Sequence, residues 1–487
     1  MADVQVPGKS ARVAASVRAM IHDGRLREGD RLPSTRALAA ELGVARGTVV
    51  AAFEQLDGEG YISTRHGAAA RVAATLAGVR APGGGDPLEP VEQPHSAVPG
   101  AVDLTPGVPA VTSISQRDWR AAWRHAAAAP LRDSYPDRLG EPALRAEIAK
   151  QLAFSRGFAP SAAQVVIAAG TAEALSVVAE SLGPAPAIAV ENPGYRSGRN
   201  ALLSAGARLV PIPVDEHGLR LDALAAAHAA RRLAAVSVTP SHQYPMGAVM
   251  PIGRRRELLQ WAAAEGVVVI EDDYDSEFRH HGAPLPALAA IDTAGTVVHI
   301  GSFSKVLNPQ LRCGYLVVPA AGPVAGAVLQ ARDARGAAVA SPVQHAIARL
   351  MSSGALRRHV ARVRRDYAHK RAMVADALAG LSAVRVGALA GGLHATVQWE
   401  GPRSEEAVVS GIRQRGVIVA PLSLYAVEGS GLETRGFVLG YGAVSATALS
   451  GALTAIAAEL EGESGHRMHG QGRETRREFR ENTGSAP

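Results

Sequence analysis

The sequence predicts an α/β protein in which a small helical N-terminal domain precedes a large domain built on a mostly parallel sheet. Residues 8–75 carry apolar side chains at helical spacing and end in a predicted hairpin. Residues 101–461 alternate short apolar runs with longer Ala-rich helical patterns, such as "VVIAA" before "TAEALSVVAESL". That alternation is typical of βα units, which pair their strands in parallel.

Two further segments lack the periodicity of helices and strands. Residues 76–100 are rich in Pro and Gly, which predicts a flexible linker between the two domains. Residues 462–487 carry almost no apolar side chains, so we expect a disordered tail.

Composition limits the classes of function. The chain has 51 Lys and Arg against 45 Asp and Glu, and the net charge of +6 permits a polyanionic partner without establishing one. The single cysteine, Cys313, excludes a disulfide framework and a cysteine-based metal cluster, and we expect no metal site. We see no signal peptide, and no run of about 18 apolar residues that would predict a membrane span. These features favour a cytoplasmic protein.

The N-terminal block predicts a winged helix-turn-helix. Ser34 is placed to cap a second helix, and Gly43 lies in the turn before a third helix that begins with Arg46. The stretch "YISTRHGAAARVA" reads as two short strands around a glycine tip, which would form a wing with Arg65 near its end. The charge of residues 1–75, ten Lys and Arg against eight Asp and Glu, supports DNA binding only weakly. A three-helix domain with a solvated charged face remains an alternative at this point.

The stretch "GDRLPSTRALAAELGVARGTVVAAFEQLDGEGYI" and the following "RHG" resemble the winged helix-turn-helix of the GntR family of bacterial regulators. The resemblance implies a double-stranded DNA operator as partner and five contacting residues: Arg36, Arg46, Thr48, His66 and Gly67. Some members of the family carry a further arginine where this chain has Val50, so part of the base readout is expected to differ.

The large block carries the groups that pyridoxal 5'-phosphate, an aldehyde coenzyme, needs for binding. Lys305 follows the apolar run "TVVHI" in "GSFSK" and can form a Schiff base. Two hydroxyls and an arginine can hold its phosphate, namely Ser302, Ser304 and Arg312. The run "VVVIEDDYDSEF" ends a buried strand with Asp272 or Asp273 available to the ring nitrogen.

Three further features fit the same coenzyme. The amides of Thr171 and Ala172 open a helix after a glycine and can cradle a phosphate. Tyr195 follows another predicted strand and can stack on a ring, and the phenol of Tyr274 suits the 3'-oxygen of the coenzyme. Each feature alone has an ordinary structural explanation, whereas their occurrence together in this order is much less expected by accident.

The region from about 101 to 460 resembles the fold-type I aminotransferases, and with the N-terminal block it resembles the MocR subfamily of GntR regulators. The phrases "TPSHQYPMGAVMPIGRRRELLQWA", "IEDDYDSEFR" and "GSFSKVLNPQLRCGYLVVP" carry that resemblance over roughly nine-tenths of the chain. It implies Lys305 as the Schiff-base lysine, Asp272 as partner of the pyridine nitrogen, and a homodimer. It also implies three further coenzyme contacts through Tyr274, Tyr195 and Arg312 with Ser302.

The chain departs from the aminotransferase pattern in two places. It has "SHQYPMG" where aminotransferases usually carry an Asn-Pro-x-Gly segment, and Ala172-Glu173 where many relatives carry glutamine or serine. An effector carboxylate would also need an arginine, and Arg435 in "ETRGFVLGY" is the candidate by position. A surface arginine before a strand explains Arg435 equally well.

Three functions are consistent with these residues. The favoured one is a transcription regulator, not an enzyme, that senses pyridoxal phosphate or an amino compound through an aldimine at Lys305. The alternatives are an active aminotransferase with an appended DNA-binding domain, and a regulator whose coenzyme domain is an empty dimerisation scaffold. The intact Lys305, Asp272 and Arg312 argue against the scaffold, and the altered "SHQYPMG" segment argues against efficient transamination.

Overall fold

The computed structural model describes residues 8–65, 68–73, 100–279, 286–431 and 435–462. The predicted wing-tip residues His66 and Gly67 lie outside the described residues. So do the predicted linker, except Gly100, and the predicted tail, except Gly462. The chain divides into two compact units, residues 1–96 and 97–487.

The N-terminal unit has the predicted winged helix-turn-helix. Its elements are helices α1 (Lys9–His22), α2 (Thr35–Leu42) and α3 (Arg46–Gly58) and strands β1 (Ile62–Ser63) and β2 (Arg71–Val72). Helix α2 begins where the Ser34 hydroxyl accepts a hydrogen bond from the Ala37 amide at 3.2 Å. It ends at Gly43, whose φ of 61° lets the chain turn sharply into α3. The two strands pair antiparallel with Ile62 opposite Val72, and both side chains join the core.

The C-terminal unit alternates helices and strands. The helices are α4 (Gln116–Ala127), α5 (Pro142–Ser155), α6 (Thr171–Ser181), α7 (Arg196–Ser204), α8 (Leu221–Ala230), α9 (Ile252–Glu265), α10 (Leu288–Ile291), α11 (Pro323–Arg335), α12 (Ser341–Ser352), α13 (Ala355–Leu378), α14 (Glu405–Gln414) and α15 (Ala446–Glu461). The strands are β3 (Val102–Asp103), β4 (Val165–Ala168), β5 (Ala187–Asn192), β6 (Arg208–Asp215), β7 (Gly218–Leu219), β8 (Ala235–Val238), β9 (Val268–Asp273), β10 (Val297–Ser302), β11 (Gly314–Val317), β12 (Val384–Gly387), β13 (His394–Trp399), β14 (Val417–Ile418), β15 (Ala420–Pro421) and β16 (Gly436–Gly440).

An eight-stranded sheet in the order β4-β11-β10-β9-β8-β5-β6-β7 forms the centre of this unit. The consecutive pairs from β10 to β6 are parallel, and the pairs at both ends are antiparallel. The predicted mostly parallel sheet is therefore confirmed. Helices cover the sheet on both faces, which is why its inner strands are apolar runs without alternation. Ligands of such sheets bind at the carboxyl ends of the parallel strands.

A second sheet, of order β12-β13-β16-β15, is antiparallel and packs with α13, α14 and α15 into a smaller lobe of the same unit. Among the described residues, no helix combines the length and the apolar character needed to cross a bilayer.

Candidate coenzyme site and nucleic-acid interface

Lys305 lies three residues beyond the carboxyl end of β10, in the turn that leads towards β11. Its Nζ donates a hydrogen bond to the Gly107 carbonyl at 2.7 Å. Gly107 has φ 95°, a backbone conformation that favours glycine, and a Cβ there would lie 2.8 Å from Nζ and crowd the amine. Burial lowers the pKa of Lys305 against the opposing charges of Asp275 and Asp272. A lowered pKa raises the share of neutral amine, which is the nucleophilic form.

Asp272 lies on β9 in register with Ile300 of the neighbouring β10, so it reaches the same sheet edge as Lys305. Its side chain is buried, and its Oδ1 has no hydrogen-bond partner among the described residues. Burial, reinforced by the nearby carboxylates of Asp273, Glu191 and Asp275, raises the pKa of Asp272 from 3.8 to about 7. A buried carboxylate oxygen without a partner fits a protonated ring nitrogen.

Asp273, the next residue, has a different environment. It accepts hydrogen bonds from the guanidinium of Arg156 and the hydroxyl of Ser276. Burial alone would raise the pKa of Asp273, but the charge of Arg156 lowers it below the ordinary value. The local pattern leaves these two residues equivalent, and the resemblance implies Asp272. The geometry favours the same residue, since Asp273 is already paired with Arg156 and Asp272 Oδ1 has no partner among the described residues.

The residues predicted to hold the coenzyme phosphate converge near the start of α6. Gly170, with φ 92°, ends the turn after β4, and a Cβ on it would lie 4.0 Å from the guanidinium of Arg312. Arg312 itself adopts a left-handed conformation with φ 45°. The Ser302 hydroxyl accepts a hydrogen bond from the Ser304 amide at 3.1 Å. Since Thr171 and Ala172 open α6, their amides lie at the helix end that favours anions.

Glu173, one of the departures from the aminotransferase pattern, is engaged in the frame of this turn. Its carboxylate accepts the Ala169 amide at 3.2 Å and forms ion pairs with Arg332 and Arg335 of α11. The Arg332 side chain is 1% exposed, so the pair ties α6 to α11 out of solvent. This glutamate therefore has a structural role beside the predicted phosphate cradle.

Tyr274 belongs to a hydrogen-bonded group that sequence reasoning described only in part. Its hydroxyl lies 3.1 Å from Nδ1 of His242, and the same Nδ1 lies 2.9 Å from a carboxylate oxygen of Asp275. Both His242 and Asp275 are buried, and Nε2 of His242 has no partner among the described residues. Burial, followed by the charge of Asp275, raises the pKa of Tyr274 well above its ordinary value.

His394, from β13, completes this group. Its ring lies 5.1 Å from that of His242, and its Nε2 contacts the Pro245 carbonyl at 3.2 Å. Together with Asp275, the two histidines place three potential ligand atoms within 4.8 Å of one another. Two of these atoms, on His242 and Asp275, are already close because they share a hydrogen bond. The sequence signal for Asp275 was the extra acid in "DDYDSEF", whereas His394 had none.

The segment "SHQYPMG" places the ring of Tyr244 among other aromatic rings, where aminotransferases usually have an asparagine. Tyr244 donates a hydrogen bond from its hydroxyl to that of Tyr425 at 3.2 Å. Its ring meets the ring of Tyr195 edge-on, with centroids 6.2 Å apart. Gln243 is fully buried and donates to Glu191 at 3.2 Å, which fixes the segment against β5. Half-buried Tyr195 lines one cavity with Asp272, as expected for a residue stacked on a ring held by that carboxylate.

Arg435 is not brought together with these groups. It precedes β16 as an exposed residue and donates a hydrogen bond to the Gly401 carbonyl. The opposite end of β16, Gly440, packs against Pro106 beside Gly107, which accepts the hydrogen bond from Lys305. Five residues of extended strand span roughly 16 Å, so Arg435 lies too far away to share a small ligand with Lys305.

In the N-terminal unit, the predicted DNA contacts lie at the starts of α2 and α3. Arg36 and Arg46 are exposed, and Arg46 Nε donates to the Thr35 hydroxyl at 3.4 Å, which brings the two helix starts together. Thr48 is half-buried in the first turn of α3, and Val50 is 37% exposed one half-turn later. The first turn of a recognition helix is the part that reaches base edges in the major groove.

Comparison with known proteins matches both units. The family model of bacterial regulatory proteins of the gntR family covers residues 9–72, and that of aminotransferase class I and II covers residues 102–433. The pyridoxine biosynthesis transcriptional regulator PdxR of Corynebacterium glutamicum is 39% identical over 431 residues, which span 88% of this chain and 91% of PdxR.

Two further matches add to this. The probable rhizopine catabolism regulatory protein MocR of Rhizobium meliloti is 35% identical over 388 residues, or 76% of either chain. Among solved structures, LysN, an alpha-aminoadipate aminotransferase from Thermus thermophilus, aligns with 76% of this chain and 94% of its own at 25% identity and a TM-score of 0.67.

Proposed function

The chain belongs to the MocR subfamily of GntR-family transcription regulators, and from this premise we propose that it binds pyridoxal phosphate at Lys305 and responds to it on DNA. The response is either to the coenzyme itself or to an amino compound that reacts with it. The name of the relative PdxR, a regulator of pyridoxine biosynthesis, supports the coenzyme itself as the signal. Recognition of operator DNA is assigned to residues 8–75 and coenzyme binding to residues 101–461, joined by residues 76–100.

The observation that carries the coenzyme assignment is the unpartnered oxygen of Asp272 at the same sheet edge as Lys305. Pyridoxal phosphate, when bound, supplies an aldehyde that condenses with an amine and a ring that withdraws electrons. Lys305 would offer the amine, and Asp272 would hold the proton of the ring nitrogen. Tyr195 would pack on the ring and Tyr274 would donate to its 3'-oxygen.

The phosphate would be held by charge and by backbone. The guanidinium of Arg312 offers two parallel donors to a phosphate, as no lysine could. The hydroxyls of Ser302 and Ser304 and the amides of Thr171 and Ala172 would fill the remaining acceptor positions. The left-handed backbone of Arg312 supports this role, because such a conformation persists where the surroundings require it.

Two specific observations bear on an active aminotransferase as the second candidate. The lysine, aspartate and arginine that the reaction needs are in place, so some turnover is compatible with the site. Tyr244, however, which is hydrogen-bonded to Tyr425, lies in the segment that usually supplies an asparagine to the 3'-oxygen. We propose a regulator first, with residual transamination as a property to be measured using amino and keto acids.

The regulatory proposal is tested by measuring operator affinity of the full chain with and without saturating coenzyme. Coupling between two sites is typically about 1–3 kcal/mol, so we expect an affinity change of roughly 5- to 150-fold. Lys305→Ala should abolish this change together with the visible absorbance band of the bound coenzyme, while binding operator like the coenzyme-free protein. Equal operator affinity in all states, with and without candidate amines, would refute the proposal.

A further inference from the structure

Charge is distributed very unevenly over the chain. Residues 116–125 and 345–371 together carry eleven Lys and Arg against two Asp and Glu, a net charge of +9. Because the whole chain has a net charge of only +6, the residues outside these two ranges have a net charge of −3. The winged helix-turn-helix, residues 1–75, has a net charge of only +2. The strongest positive region therefore lies in the unit that carries the coenzyme site.

Two helices display this charge as stripes of exposed arginines. On α4 the stripe has the spacing i, i+3, i+7 and consists of Arg117, Arg120 and Arg124. On α13 the spacing is i, i+4, i+7 and the stripe consists of Arg358, Arg362 and Arg365. Both spacings keep side chains on one face of a helix. The other side of α4 turns Trp119 and Trp123 towards the core, which fixes the arginines outward.

The two stripes are neighbours in the fold. The guanidinium of Arg358 lies 3.6 Å from the carboxylate of Asp118 on α4, and Arg362 donates to the Ser113 carbonyl, just before α4, at 3.1 Å. Helix α12 packs against both helices and carries a further exposed arginine, Arg349. We call the six arginines of the two stripes the α4–α13 basic face.

Most of this charge is free for a partner. Within the part of the chain that the structure describes, only Arg358 of the six arginines has a carboxylate within 4 Å, and those two side chains are 60% and 33% exposed. Exposed pairs of this kind contribute little to stability. Six like charges on adjacent stripes repel one another in the free protein, and a polyanion relieves that repulsion.

We propose that the α4–α13 basic face binds the phosphate backbone of DNA next to the operator, as a second contact that carries no sequence information. The inference rests on the proposed function, since it needs an operator-bound protein. Each stripe spans eight residues, or about 10 Å of helix, which matches about three steps between phosphates along one DNA strand at 3.4 Å per step. Guanidinium groups pair with phosphate through parallel donors. The low charge of the winged helix-turn-helix leaves much of the backbone attraction to be supplied elsewhere.

The test is the salt dependence of DNA affinity in the full chain. Each lost phosphate contact lowers the slope of log affinity against log salt by about 0.9. The triple variant Arg117→Gln/Arg120→Gln/Arg124→Gln should therefore reduce the slope by about 2–3. The reduction should be alike for operator and scrambled DNA on fragments long enough to extend well beyond the operator. The α13 triple, Arg358→Gln/Arg362→Gln/Arg365→Gln, should behave in the same way.

A charge-matched control separates this contact from the effect of net charge. Arg208→Gln/Arg231→Gln/Arg256→Gln removes three exposed arginines from other elements and should change the slope by less than about 0.5, because screening weakens distant charges. Retention of the coenzyme absorbance band shows that each variant is folded. If both triples keep the slope of the control variant, the basic face does not contact DNA. If the triple variants change the oligomeric state but keep the slope of the control variant, the basic face contacts a second copy of the chain, which also overturns the proposal. If operator affinity still depends on the coenzyme in these variants, the proposed function stands although this inference fails.

Discussion

The two units place their charged groups in opposite environments. In the N-terminal unit, Arg36 and Arg46 are exposed at the starts of two helices, where a phosphate or a base edge can reach them. In the C-terminal unit, the carboxylates at the end of β9 and the amine of Lys305 are enclosed, and burial raises the pKa of Asp272 and lowers that of Lys305. DNA recognition needs cations in water, whereas a coenzyme site needs ionisable groups that are partly desolvated.

This difference predicts different consequences of mutation in the two units. A substitution in the enclosed group changes ligand binding or stability, according to the partners of the substituted residue, because a buried charge that loses its partner is costly. A substitution in the exposed group changes the interaction with DNA alone. The neighbouring carboxylates Asp272 and Asp273 provide the sharpest test within the enclosed group, since they differ by one position and have different partners.

We expect the largest contrast between Asp272→Asn and Asp273→Asn. Asp272→Asn removes the unpaired carboxylate, so the affinity for pyridoxal phosphate should fall by about 2–4 kcal/mol, or roughly 30- to 1,000-fold, with little loss of stability. Among the described residues, Asp273→Asn leaves the buried Arg156 with Glu277 as its one remaining carboxylate partner, so the free energy of unfolding should fall by about 2–3 kcal/mol. Coenzyme titration and urea unfolding of both variants measure the two effects. The assignment of the two carboxylates is wrong if Asp273→Asn loses the coenzyme and Asp272→Asn does not.

The same pair shows how far the sequence leads. Local patterns correctly predicted the cap at Ser34, the turn at Gly43 and the parallel sheet, because each depends on neighbours in sequence. The local pattern alone could not choose between Asp272 and Asp273, because the choice depends on Arg156, which lies 117 positions away in sequence. Only the resemblance to the fold-type I aminotransferases implied Asp272. Residues whose partners are distant in the chain need the fold to be known first.

The same limit applies elsewhere in the candidate site. His242 was noticed only as a departure from a pattern, whereas its contacts with Tyr274 and Asp275 join two segments more than 30 residues apart. Arg435 was chosen by its position before a strand, but the strand direction places it at the end away from Lys305. The predicted coenzyme contacts of Lys305 and Asp272 stay predictions that the geometry favours.

Arg46→Ala tests the exposed arginines of the N-terminal unit. A guanidinium that contacts a guanine contributes about 1–3 kcal/mol of discrimination, so operator affinity should fall by roughly 5- to 150-fold and binding to scrambled DNA much less. Coenzyme affinity and the unfolding midpoint should stay within error, because Arg46 is exposed and its one side-chain hydrogen bond within the described residues is to the Thr35 hydroxyl. Equal losses on operator and scrambled DNA would instead make Arg46 a backbone contact. The control Arg25→Ala removes an exposed arginine of the same unit that is paired with Asp23 and should leave both affinities unchanged.

The smallest expected effect is a pH dependence that belongs to the enclosed group alone. The pKa of Asp272 is about 7 in the folded protein and 3.8 in its ordinary state, so between these values the folded chain binds the extra proton. Its contribution to stability in the coenzyme-free protein is therefore present at low pH and is lost as the pH rises through about 7. A protonated ring nitrogen beside Asp272 stabilises the charged carboxylate, so the coenzyme-bound protein does not lose this stability as the pH rises. Added pyridoxal phosphate should thus raise the melting temperature more at pH 8 than at pH 5.5, by roughly 1–3 °C. Asp272→Asn should abolish the difference between the two pH values, whereas a difference that survives in this variant would have to come from Lys305 or from the phosphate.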